Sequence, residues 1–129
     1  GPDNMVGSVN IEVAEGMTAK QILALTLKIQ RDISETYGIY LAVGIYAYDN
    51  NPEHLEFQEE VRKTVMKHKG AMQLHGFIVD EKQKSVSFDV VTDFSVKNRK
   101  AFCHSLEEEL ESLHPEYKFY ANPDLDYCD

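Results

Sequence analysis

SVSFDVVTDFSVKN, Ser85 to Asn98, stands 77 residues after SVNIEVAEGMTAKQ, Ser8 to Gln21, and the two stretches align without a gap. Under that offset Val9 meets Val86, Val13 meets Val90, Lys20 meets Lys97, Ala24 meets Ala101, Tyr40 meets Tyr117 and Asp49 meets Asp126. Similar chemistry meets as well: Ile11 with Phe88, Glu12 with Asp89, Met17 with Phe94, Thr18 with Ser95, Ile29 with Leu106 and Ile33 with Leu110. A strand, a helix cap and a helix stripe coincide, which reads as an internal repeat. The competing explanation is that any two strand-helix-strand units share such periodicity. Identities are few, and the register through the cap is what favours duplication.

Working outward from Ser8, Val9, Ile11 and Val13 alternate with polar neighbours, a strand with one apolar face. Thr18 and Gln21 predict a capping box, and Met17 with Ile22 a hydrophobic staple. Ile22, Leu25, Ile29 and Ile33 form the helix's apolar stripe, and Gly38 supplies a left-handed stop. IYLAVGIYAY, Ile39 to Tyr48, suits a strand inside a sheet.

Asn51 and Pro52 open a second helix, with acids early (Glu53, Glu56, Glu59, Glu60) and bases late (Arg62, Lys63, Lys67, Lys69), as the helix dipole favours. Gly70 ends it. The runs MQLHGFIVD and KSVSFDVVTDF, joined through EKQ, predict a hairpin. A turn centred between Lys82 and Gln83 puts Phe77, Val79, Val86, Phe88 and Val90 on the core face and Ser87 and Asp89 on the other. A third helix carries Phe102, Leu106, Leu110 and Leu113 on its stripe, Pro115 closes it, and YKFYA makes the last strand.

The expected fold is α/β in the α+β sense: a ferredoxin-like αββαβ unit, internally duplicated, with the first copy truncated at its N-terminal side. Residues 1–50 form the partial repeat, strand-helix-strand, and residues 51–129 the complete one, helix-strand-strand-helix-strand. The missing helix and strand of the first copy are expected upstream of Gly1.

Composition narrows the function. The chain has 129 residues, enough for one domain with a real core. Thirteen Lys plus Arg against 22 Asp plus Glu leave a formal charge of -9, which repels phosphate backbones, so nucleic acid is not an expected partner. The two cysteines, Cys103 and Cys128, make no disulfide framework, and a reducing compartment fits. No apolar run reaches the roughly 20 residues of a membrane span. Gly1 to Ser8 carries neither a basic nor an apolar signal segment, and the chain, which begins without Met, is expected to be a fragment or to carry a processed tag.

HGFIVD at 75–80 followed by SFDVVTDF at 87–94, and SVNIEVAEGMTAKQI at 8–22 followed by YGIYLAVGIYA at 37–47, resemble the cation diffusion facilitators, membrane exporters of divalent metal ions. The resemblance is to their cytoplasmic C-terminal domain and covers nearly the whole chain; the opening GPDN also looks like the turn that precedes the first such segment in bacterial members, although Gly1-Pro2 alone equally fits a protease scar. It implies a regulatory, dimerising domain on the cytoplasmic face of the cell membrane, with the transmembrane helices upstream in the same polypeptide, a homodimer as the assembly, and no catalysis. This chain itself would not insert into the membrane.

In better-studied branches of that family, a histidine on the unit's second strand and a His-x-Asp pair on its third bind regulatory metal. The matching positions here are Asn10, Gly44 and Tyr46 in the first copy and Ser87, Ala121 and Pro123 in the second, and none offers an imidazole or carboxylate. No cofactor is required, and only weak binding of zinc or manganese is expected. The candidate metal residues are His75, which matches the histidine that opens the family's first strand, and Asp89 on the adjoining strand, but the hairpin register sets them on opposite faces, so His75 reads as structural.

Cys103 and His104 point about 100° apart on a helix and cannot serve one another as nucleophile and base. His54, His68 and His114 fall at helix ends, where capping and solvation account for them. The tail DLDYCD could gather a cation through Asp124, Asp126, Cys128 and Asp129, or fray as an acidic terminus. There is no phosphate loop, HExxH or paired-cysteine spacing. Two other classes stay open: a free-standing ferredoxin-like module for a small molecule or protein, and an acylphosphatase-like hydrolase. The hydrolase would need an arginine in a phosphate-cradling loop, and Arg31, Arg62 and Arg99 all fall within helix patterns.

Overall fold

The computed structural model describes residues 5–124. Its elements are β1 (Met5–Ala14), α1 (Ala19–Tyr37), β2 (Ile39–Tyr48), a 3-10 turn (Pro52–His54), α2 (Leu55–Met66), β3 (Ala71–Asp80), β4 (Ser85–Thr92), α3 (Arg99–Leu113) and β5 (Lys118–Asp124). The chain divides into two compact units, Gly1–Ala47 and Tyr48–Asp129. The fold is α+β, with one two-stranded and one three-stranded sheet, compatible with a ferredoxin-like arrangement.

In unit 1, α1 starts where its capping box predicts. Thr18 Oγ1 accepts from the Gln21 N–H at 3.2 Å, and Gln21 Oε1 accepts from the Thr18 N–H at 2.9 Å. It stops at Gly38, whose φ of 67° is the left-handed cap and whose N–H donates to Ser34 O. β1 and β2 are hydrogen-bonded neighbours. A methyl placed on Gly7 would touch Ile39 and Leu41, and one on Gly44 would meet Asn10 and Val9, so positions climb together and the strands run parallel. Gln30 Nε2 donates to Leu41 O at 2.8 Å and ties the helix to β2. Ile22, Ile29 and Ile33 of the predicted stripe are half-buried, but α1 has no fully buried residue, and Leu23 and Leu27 are 57% and 46% exposed.

Unit 2 has the predicted order of helix, two strands, helix and strand. β3 pairs antiparallel with β4, and β4 pairs parallel with β5. Val61 and Val65 of α2 and Cys103, Leu106 and Leu110 of α3 close over Leu74, Phe77, Val79, Val86, Phe88, Val90, Phe119 and Ala121. All five side chains that the alternation assigned to the core face are buried. α3 turns slightly from its predicted stripe: Cys103 is buried, while Phe102 is half-buried and Leu113 is exposed.

Two expectations are corrected. The cap of α3 is Asn98, whose Oδ1 accepts from the Ala101 N–H at 3.0 Å; Ser95 instead closes a turn on Asp93, its N–H donating to Asp93 Oδ1 at 2.8 Å. α3 therefore starts three residues after the point that Thr18 predicts, and the match of the two stretches through the cap does not hold. The hairpin register is also not uniform. Leu74 pairs with Val90 and His75 with Asp89, but Ile78 pairs with Ser87, with an irregularity between His75 and Ile78. Gly76 has φ 64°, so this is a bulge at the position that lacks a Cβ. The extra residue switches the parity of β3, letting Leu74 and Phe77 both face the core.

Candidate functional site

The bulge decides the geometry around His75. Residues directly opposite in a ladder share a face, so His75 and Asp89 stand side by side on the sheet face turned away from α2 and α3, and not on opposite faces as a continuous alternation predicts. On the other flank Asp89 pairs with Asn122. His75, Asp89 and Asn122 thus form one row across three strands. His75 Nε2 lies 2.7 Å from Gln73 Oε1. Burial, aided by the charge of Asp124, raises the Asp89 carboxyl above its ordinary value, while the Asn122 hydrogen bond and His75 pull it back.

The row brings together one imidazole, one carboxylate and one amide, short of a coordination sphere for zinc. Among the described residues, no group of three or more His, Cys, Asp and Glu side chains is placed to hold a metal ion. Of the positions that the resemblance marks, Asn10 and Gly44 meet across β1 and β2, the Asn10 amide occupying the space where a side chain at 44 would begin. Ser87 and Ala121 do not meet: Ala121 pairs with Phe88 and is buried in the core, and Ser87 pairs with Tyr120. GPDN and the tail residues Asp126, Cys128 and Asp129 lie outside the described residues.

A second polar cluster is one that helix-end capping does not foresee. Asp49, 2% exposed, follows the last residue of β2. Its N–H donates to Phe77 O at 2.8 Å, its Oδ1 accepts from the Asn51 N–H at 2.9 Å, and its Oδ2 lies 2.6 Å from His54 Nδ1. The other ring nitrogen, Nε2, lies 3.2 Å from Glu81 Oε1 in the hairpin turn. Glu81 also accepts from Tyr117 Oη at 2.7 Å and from Lys84 Nζ at 2.8 Å. Phe57 stacks on Tyr117 with centroids 5.1 Å apart, and the Lys84 ammonium sits 5.7 Å from the same ring.

Charge follows this geometry. Hydrogen bonds from Lys84, then Tyr117 and His54, hold the Glu81 carboxyl down at about 2, and the bond to Glu81 pushes the Tyr117 hydroxyl up to about 12. Burial works against a charged His54, but the bond and charge of Asp49, followed by those of Glu81, outweigh it, and the pKa is raised from 6.5.

The sequence signal was Asp49 itself, a carboxylate closing an apolar strand five residues before a histidine. Such a side chain, once buried, must find partners. His68 and His114 stand at the ends of α2 and α3 as expected, but capping and solvation do not account for them: His68 Nε2 meets Glu109 Oε1 at 2.6 Å, and His114 packs edge-on against Phe57.

A groove of about 560 Å³ runs between the start of α3 and the end of β5, lined in part by Asn98, Cys103, His104, Glu107, Ala121 and Pro123. Its reactive groups are committed. Glu107 accepts from the Ala121 N–H at 2.8 Å, His104 lies against Glu107 and Glu108, and burial pushes the Cys103 thiol up to about 11.

Compared with protein-family models, with curated proteins and with solved structures, the chain finds no match. Among the described residues, no helix is long and apolar enough to cross a membrane.

Proposed function

We propose that the chain is a regulatory, dimerising domain of a divalent-cation efflux transporter, on the cytoplasmic side of the membrane, with its metal cargo passing through helices elsewhere in the polypeptide. The observation that supports this most is unit 1. A parallel strand pair with one helix buries only Val13 among its described apolar side chains, while Val6 and Tyr40 are 74% and 69% exposed. A unit this small holds its fold poorly on so little buried surface, and a second copy of the chain, beside the helix and strand expected upstream, supplies the cover. The dimer is held by packing, because the row of His75, Asp89 and Asn122 binds zinc or manganese weakly at most.

No catalysis is assigned. The buried Cys103 thiol is protonated near neutral pH, and both ring nitrogens of His54 are engaged by carboxylates. The test is the reading frame upstream of Gly1. Several apolar segments of about 20 residues each are expected there. A start codon at Met5, giving a complete chain without them, contradicts the transporter assignment.

A further inference from the structure

We propose that His54 is a pH-sensitive latch, fastening the segment that leads into α2 to the β3–β4 hairpin when protonated and releasing the hairpin when neutral. Two pieces of unit 2 meet at this ring, and a third holds Glu81 from behind. The leading segment contributes the buried Asp49 and the hairpin contributes Glu81, which Lys84 and, from the turn just before β5, Tyr117 hold in place, with Glu116 adding its charge beside Tyr117. Two carboxylates thus face the ring, 2.6 Å and 3.2 Å from its two nitrogens, and the His54 side chain is only 15% exposed. An imidazolium donates to both carboxylates at once. A neutral imidazole has one N–H.

Loss of the proton therefore breaks one link, and the distances indicate which. Asp49 is buried and holds the shorter contact, so the remaining N–H stays on Nδ1. Nε2 then turns a lone pair towards the Glu81 carboxylate, and attraction becomes repulsion. Glu81 is half exposed and keeps Lys84 and Tyr117, so the hairpin moves away from His54 without unfolding.

A raised pKa gives the direction. The added stability is fully present below 6.5 and is lost as pH rises through the midpoint of the folded protein, above 6.5. Glu81 and Tyr117, at about 2 and about 12, keep their protonation states throughout that window.

The test is an NMR titration of the whole chain from about pH 5 to about pH 9, following the His54 ring and the exchange protection of the Asp49 amide at each pH. The ring should titrate above 6.5, and protection should fall by about tenfold for each unit between the midpoint and that value. Glu81→Gln should lower the midpoint and shrink the fall, and His54→Gln should abolish it. A midpoint at or below 6.5, one that Glu81→Gln leaves in place, or the same fall in His54→Gln overturns the latch. Glu81 lies at the surface, so Glu81→Gln decides the matter even where His54→Gln does not fold.

Discussion

β1, α1 and β2 in unit 1, and β4, α3 and β5 in unit 2, are both a strand, a helix and a parallel strand, yet they differ in what they bury. In unit 2, α2 and β3 add a second helix and a third strand, so Leu106 and Leu110 are fully covered. The aligned residues of unit 1, Ile29 and Ile33, are only half covered. Amphipathic periodicity is enough to write such a unit, but enclosure takes further layers. One helix on two strands leaves Val6, Leu23, Leu27 and Tyr40 in water, and unit 1 is accordingly where a partner has most to cover.

The largest contrast should appear on cutting matched side chains. Leu106→Ala should cost about 2–5 kcal/mol, and Ile29→Ala, half-buried, about 1. Urea melts of dilute protein measure both, and equal costs would mean that unit 1 has a core of its own.

Two glycines come next. Gly76, at φ 64°, holds the bulge, and Gly76→Ala should cost about 1–2 kcal/mol. Gly44→Ala clashes with the exposed Asn10 amide, which can turn aside, while Val9 O stands at ordinary contact distance, and it should cost less. The reverse order in thermal melts would place the tighter backbone constraint in unit 1.

The helix caps should differ least. Thr18→Ala and Asn98→Ala should each cost about 1 kcal/mol, with Ser95→Ala below either. Ser95→Ala matching Thr18→Ala would restore the register that the observed cap of α3 removes.

These contrasts also show what the sequence holds and what it conceals. Period two and period 3.6, with Thr18, Gly38 and Pro115 as punctuation, place the three α-helices, the five strands and the five core residues of the hairpin, but not the 3-10 turn at Pro52–His54, after which α2 starts, nor its end at Met66, short of Gly70. Alternation failed at Gly76, because a single residue in the left-handed region adds one to the count and reverses Gln73, Leu74 and His75 before it, up to a second shift between Ala71 and Gln73. A glycine inside a strand run was the available clue. The His54 cluster was hidden for a different reason. Asp49, Glu81 and Tyr117 are distant in sequence, and only the closure of β3, β4 and β5 brings Glu81 to the ring beside Asp49 and Tyr117 to Glu81. The row of His75, Asp89 and Asn122 was half legible: His75 and Asp89 could be named, but their side depended on the bulge, and Asn122 was not foreseen.

The most direct measurement is light scattering on the purified chain, with and without chelator, beside Val6→Asp and Tyr40→Asp. The expected result is a particle of twice the chain's 14.7 kDa under both conditions, shifting towards the single chain in either variant. A single chain at every concentration, or a dimer that chelator dissolves, would contradict an assembly held by the packing of unit 1.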